Sequence, residues 1–326
     1  MKKPILDLHC DLLFYLKEPN SNIDNRDLGC AIPYLQTGNV KLQVMAIFAP
    51  TQNNSQQLGI KQSEIFQSLN TNENRLYALD RQNLNGLFVH KSIGMIAAIE
   101  SGSAFCDENM TLKEGFKNLQ KIRNNVGNLF YISFTHHTEN RFGGGNYSNV
   151  GLKKDGEALI EHLDQQHIAI DFSHTSDYLA HDILNYIDKH NIDVSIIASH
   201  SNYRPVFDHP RNLPDEIAQE IIKRKGLIGV NFLRAFVNND EPNALYDHIE
   251  HGIKIGAQDS ICYGADYFYH KNHPDKSRHP FNFKEHENAS CYQEISSTVG
   301  ERFGAEISDN LSHKNVNNFL KKLWQV

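Results

Sequence analysis

Cysteines are few and unpatterned. Cys10, Cys30, Cys106, Cys262 and Cys291 are scattered, odd in number and form no CxxC pair. Neither a disulfide framework nor a thiolate zinc site is therefore expected. No apolar run reaches the roughly 18 residues of a membrane span, so no membrane partner is expected. Basic blocks and basic–aromatic stripes are missing, and the formal charge is −7, which argues against general nucleic-acid binding. No low-complexity linker or repeated block divides the chain. A phosphate-cradling loop is also missing. RFGGGN (141–146) has three glycines but neither a lysine nor G-x-G-x-x-G spacing, and reads as a mobile loop. The opening MKKPILDLHCDLLFYL puts two lysines before apolar residues. Asp7, His9 and Asp11 interrupt that run and no small-residue cleavage site follows, so a mature cytoplasmic protein is expected.

Material for a core is ample: 40% of the 326 residues are hydrophobic and 22% charged. Eight near-continuous apolar runs recur. They are 5–11, 42–49, 92–102, 129–137, 168–174, 194–201, 226–232 and 261–267. Such runs suit parallel strands buried on both faces. Helical periodicity separates them. Thr111 and Glu114 frame a capping box ahead of Leu112, Phe116, Leu119 and Ile122. Pro214 and Asp215 open a second helix that Gly226 closes. Further helices are expected over 176–190, 242–254, 285–302 and 305–325. The alternation predicts one (β/α)8 TIM barrel of metal-dependent hydrolase type across 1–326, with C-terminal helices.

Polar residues fall at the C-terminal ends of the expected strands, which is the active-site face of this fold. His9, His174 and His200 offer imidazoles; Asp11, Glu100 and Asp266 offer carboxylates. Nitrogen and oxygen donors together suit zinc or a similar divalent ion, and the set is too large for one. Two ions sharing a carboxylate are therefore expected. Glu100 is the most telling member, because a glutamate closing an apolar strand is costly unless paired or liganded. His181, His190, His248 and His251 lie on expected helices and read as ordinary residues. Of the adjacent His136 and His137, one should face the barrel mouth and the other be structural. Period-two spacing puts Asp7 on the face of His9, as a hydrogen-bonding support below it. Cys10 points away and reads as packing. Arg211, in HPRNLPDE, suits a substrate carboxylate if it faces the mouth.

The sequence resembles the membrane dipeptidase (renal dipeptidase) family of zinc peptidases nearly end to end. The matches are LDLHCD (6–11), AIPYLQTGNVKLQ (31–43), AIESG (98–102), SFTHHTENRFGGGN (133–146), AIDFSHTS (169–176), IASHS (197–201), PRNLPDE (210–216), GVNF (229–232) and YGADY (263–267). The resemblance implies that His9 and Asp11 bind one metal, that His174 and His200 bind another, and that Glu100 bridges both. It also implies that His136 holds the substrate or its oxyanion, Arg211 its carboxylate, and that Asp266 transfers protons. A homodimeric barrel with two ions, Zn2+ being the expected metal, would hydrolyse small dipeptides through a metal-bridging hydroxide. The likeness breaks in two places. Cys10 stands where animal members usually carry Asn, and YFYHKNHPDKSRHPFNF (267–283) stands where a GGDFDG-like turn is common.

Two other readings compete. One is another metal-dependent amidohydrolase, acting on a cyclic amide, lactone or N-acyl amino acid. Such barrels commonly open with H-x-H and often use a carboxylated lysine on strand 4; here the motif is H-x-D, with no lysine on the fourth run. The other is a non-catalytic barrel that binds a metal or small ligand.

Overall fold

The computed structural model describes residues 2–326. Nine strands form: β1 (Ile5–Cys10), β2 (Val40–Phe48), β3 (Leu76–Ala78), β4 (Ile93–Glu100), β5 (Leu129–Ser133), β6 (Ala169–Asp171), β7 (Ile196–Ile197), β8 (Ile228–Val230) and β9 (Ile261–Tyr263). Eight of them, all parallel, run in the order β7-β6-β5-β4-β2-β1-β9-β8, and β3 pairs on the side with β4. A parallel bridge between Ala198 and Ile228 joins the two ends of that order, so the sheet curls into a barrel.

Each expected apolar run contributes a barrel strand. β3 was not expected, because its three residues carry no period. The capping box at Thr111 and Glu114 is present and starts the helix Leu112–Val126. The other expected helices form as Asp177–His190, Asp215–Lys223, Ala244–Lys254 and Tyr292–Phe303, followed by a helical tail from Ala305 to Trp324 with a π turn at Asn310–Lys314. Helices Ile32–Thr37, Ser55–Asn72 and Lys154–Leu163 are additional.

Two apolar layers result. The barrel interior is filled by Leu6, Leu8, Leu42, Val44, Ile96, Ala98, Tyr131, Ala169, Ile197 and Cys262, and the C-terminal helix inserts Phe319, Leu320 and Trp324 into the same cluster. The larger outer layer joins the strands' other faces to the helices. The tail thus seals one barrel mouth with side chains, and the polar strand ends are left at the other.

The triple-glycine segment is packed rather than loose. Phe142 to Asn146 are buried, and a Cβ on Gly144 or Gly145 would lie 2.2 Å from the Val150 oxygen or 2.1 Å from the His136 oxygen. Glycine is needed there for close approach of two backbones. No helix among the described residues is long and apolar enough to cross a membrane.

Candidate metal centre

Five of the expected ligands converge at the mouth. Glu100 ends β4 on the interior face, two residues beyond Ala98. Its Oε1 lies 2.9 Å from His174 Nε2 and 3.3 Å from His200 Nε2, while its Oε2 lies 3.6 Å from His9 Nε2. Asp11 Oδ2 and Asp266 Oδ1 approach His9 Nε2 at 4.0 and 3.8 Å. Two donor groups of metal-binding size share Glu100: His9, Asp11 and Glu100, and Glu100, His174 and His200. His136 Nε2 stands 3.9 Å from Glu100 Oε1 on the cavity wall.

Hydrogen bonds fix which imidazole nitrogens face inward. His9 Nδ1 lies 2.7 Å from the Tyr131 hydroxyl, which donates its single proton to the Leu8 carbonyl at 3.0 Å. Tyr131 must therefore accept from Nδ1–H, leaving a lone pair on Nε2. His200 repeats the device. Its Nδ1 lies 2.6 Å from Ser199 Oγ, and Ser199 donates to Asp171 Oδ2 at 2.7 Å. Asp171 is fully buried inside the barrel and also accepts from Ser133 Oγ at 2.7 Å and from the Ser199 and Ser173 amides at 2.7 and 3.1 Å. Such outer hydrogen bonds set the tautomer of a ligating imidazole.

The electrostatics agree. Burial holds the His9 imidazole down at about 3, and burial keeps His136, His174 and His200 well below the usual histidine range. All four are neutral at physiological pH, the form that ligates metal. Burial pushes Glu100 and Asp11 well above the carboxylate range, with repulsion from neighbouring carboxylates adding to it. His9 Nε2 and Asp11 Oδ1 are buried without a hydrogen-bond partner in the protein. Facing imidazole lone pairs and carboxylates that resist ionising together are relieved by a divalent cation, which favours the ionised carboxylates, so these residues fit one.

Asp266 sits beside this cluster in a left-handed conformation, φ 64°. Asn231 Nδ2 donates to its Oδ2 at 2.8 Å. Burial raises its carboxyl to about 6, against a lowering by the Arg211 guanidinium. His174 (φ 69°) and Ser101, next to Glu100 (φ 77°), are also left-handed. Sparsely populated backbone gathered at one mouth aims side chains that regular strands could not.

Two expectations need correction. Asp7 does not share the face of His9. A register shift between Asp7 and Cys10 interrupts the β1–β2 ladder. Asp7 points outward and accepts from Gln43 Nε2 at 2.7 Å, the Ala265 amide at 2.9 Å and the Tyr292 hydroxyl at 2.5 Å. It also accepts from the His9 amide at 3.0 Å, so it shapes the bulge that turns His9 inward. The His9 ring is supported instead by Tyr131, while Asp171 supports His200 through Ser199. His136 and His137 both line the cavity, with ring centroids 4.0 Å apart, because β5 ends at Ser133 and alternation no longer applies. Arg211 packs beside His200, with its guanidinium 5.5 Å from the ring centroid of Phe236, which lines the cavity. It is 2% exposed and donates to Ser201 Oγ at 2.7 Å and the His200 carbonyl at 2.9 Å. Cys10 is buried in the outer apolar layer, as expected.

Tyr131, Asp171, Ser199 and Asn231 were missed by sequence reasoning. A signal existed for Asp171: IDFS mirrors LDLH, and in both the aspartate accepts from the amide two residues on.

Comparison with known proteins places this architecture. Residues 1–322 match the family model for membrane dipeptidase, peptidase family M19. An uncharacterized dipeptidase of Schizosaccharomyces pombe is 25% identical over 298 residues, covering 81% of this chain and 69% of that one. Dipeptidase verJ of Clonostachys rogersoniana is 28% identical over 171 residues, 47% of this chain and 42% of that one. Among solved structures, a metallopeptidase named dipeptidase AC superposes with TM-score 0.85 at 16% identity over 100% of both chains. A metallopeptidase from Rhodobacter sphaeroides bound to a phosphinate mimic of L-Ala-D-Ala gives 0.81 at 17% identity, over 99% of this chain and 100% of that one. With the family model spanning nearly the whole sequence, the chain belongs to the membrane dipeptidase family, peptidase family M19, and is an enzyme of the metallodipeptidase class.

Proposed function

We propose that the chain hydrolyses the amide bond of dipeptides at a site for two divalent ions, with zinc as the metal. The carrying observation is Glu100, whose two carboxylate oxygens address two separate histidine groups, His174 with His200 and His9. His9 and Asp11 would hold one ion, His174 and His200 the other, with Glu100 between them. When bound, the ions supply Lewis acidity toward the scissile carbonyl and toward water.

The remaining work falls to the protein. The cavity above the cluster has about 480 Å³ and is lined by Phe14, Tyr15, Phe48, Phe236, Phe268 and Tyr269 as well as the polar set, a size suited to a dipeptide. His136, neutral on the wall, can donate its ring N–H to the developing oxyanion. Burial lifts the Asp266 carboxyl to about 6 and Asn231 holds it, so it can take the proton of the attacking water and deliver it to the leaving amine. A cytoplasmic, homodimeric enzyme is part of this reading. The test is turnover of Gly- and Ala-containing dipeptides of both stereochemistries with added zinc. Retention of full activity by Glu100→Gln, or after thorough chelation, would refute the two-ion site.

A further inference from the structure

Residues 268–283, where the sequence departs from the family pattern, roof the cavity. Phe268, Tyr269, Asn272, His273 and Arg278 all line it. The base of this segment is tied to the barrel. The Phe281 carbonyl accepts from the Arg234 amide at 2.9 Å, the Pro280 carbonyl from Arg234 Nη1 at 3.0 Å, and Asn282 Nδ2 donates to the Phe232 carbonyl at 3.3 Å. Arg278, two residues before these ties, is exposed and stands on the wall of the mouth. Its guanidinium lies 5.1 Å from the Phe281 ring centroid and makes no ion pair among the described residues.

Charges on the lining are unequal. Asp11, Glu100 and Asp266 belong to the metal and proton-transfer set, and Glu18 meets Lys17. Among the described residues on this wall, Arg278 is the single guanidinium or ammonium group. Arg211 lies beneath the wall, where Nη1 and Nη2 each give one N–H to Ser201 and His200, and its buried Nε and two further N–H groups remain for the dipeptide's C-terminal carboxylate. An uncommitted guanidinium at the mouth of a largely aromatic cavity is built to take a carboxylate through paired N–H donors.

We infer that Arg278 forms a subsite for an acidic side chain, so that the preferred dipeptides carry an aspartate or glutamate reaching the segment after β9. This rests on the dipeptidase reading. The carboxylate is an acidic side chain of the dipeptide's second residue, and two substrate pairs separate it from the C-terminal carboxylate. The pairs are Ala-Glu against Ala-Gln, and Ala-Ala against Ala-Ala-amide, each assayed on the zinc-loaded wild type, Arg278→Met and Arg278→Lys. If Arg278 takes the side chain, the kcat/KM ratio of Ala-Glu to Ala-Gln falls about tenfold in Arg278→Met, carried by KM, and Arg278→Lys restores part of it. A fall in the ratio of Ala-Ala to Ala-Ala-amide instead, with the first ratio unchanged, would overturn the side-chain subsite. Both ratios unchanged in an active Arg278→Met would overturn the subsite and leave the dipeptidase reading standing. A wild type that turns over none of the four, with metal bound, would overturn both.

Discussion

Ser199→Ala is the sharpest probe of how the centre is held. The Ser199 hydroxyl donates to Asp171 Oδ2 at 2.7 Å and accepts from His200 Nδ1 at 2.6 Å, and all three side chains are fully buried. Its removal leaves the His200 Nδ1–H without an acceptor. An orphaned buried donor costs about 1–3 kcal/mol. Asp171 loses one of four hydrogen bonds, about 1 kcal/mol more. Urea unfolding of the metal-free protein should therefore show a loss of about 2–4 kcal/mol. A second effect is chemical. With no acceptor at Nδ1, the imidazole proton can move to Nε2, where Glu100 Oε1 waits at 3.3 Å. The lone pair offered to metal is then lost, and affinity should fall about 10–100-fold. Competition against a chromophoric chelator measures that affinity, and nitrogen-15 NMR of the metal-free protein reports the tautomer. Wild type should show His200 protonated at Nδ1, and the variant a shift toward Nε2. Zinc affinity within twofold of wild type, with the His200 tautomer unchanged, would refute this account of the Asp171–Ser199–His200 chain.

Three further outcomes are expected. Tyr131→Phe removes the acceptor of His9 Nδ1–H and should weaken metal binding about tenfold or more, read by the same chelator competition. Gly229→Ala would put a Cβ 1.9 Å from the Ser199 carbonyl, and the two backbones must part at the point where β7 meets β8; calorimetry should find the variant destabilised by at least about 1–3 kcal/mol, with reduced zinc stoichiometry. His248 is fully buried, accepts from the Tyr203 amide at Nδ1 and faces the Val237 carbonyl with Nε2, and burial holds it down at about 4. Its folded value lies below its unfolded value near 6.5, so its contribution is complete above that pH and is lost as pH falls toward 4. The stability difference between wild type and His248→Gln should shrink by about 3 kcal/mol across that window in urea titrations, and a flat difference would refute it.

The barrel was legible because its signal is local. Apolar runs such as GMIAAI before Glu100 and amphipathic stretches such as 112–122 repeat along the chain, and a parallel barrel needs only that alternation. The helix Ser55–Asn72 was not legible for a matching reason. Its buried face is Ser55, Gly59, Gln62, Ser63 and Phe66, mostly small or polar, so no apolar period marks it. Gly59 faces the Ala104 carbonyl, which a Cβ would meet at 1.9 Å, and Gln62 hydrogen-bonds the Phe48 backbone, so this helix is held by close approach and polar pairing.

What the sequence alone determined is the donor set and the strand ends that carry it: His9, Asp11, Glu100, His174, His200 and Asp266. Chemistry-bearing residues at the ends of buried runs stand out because an unpaired polar group there is costly. Tertiary structure alone decided the directions. One shifted register in β1 sends Asp7 outward and His9 inward, Arg211 turns its donors beneath His200, and a segment distant in sequence brings Arg278 over the mouth. Period-two reasoning ends where a strand bulges or stops, and from there packing, backbone conformation and hydrogen-bond partners decide where each side chain points.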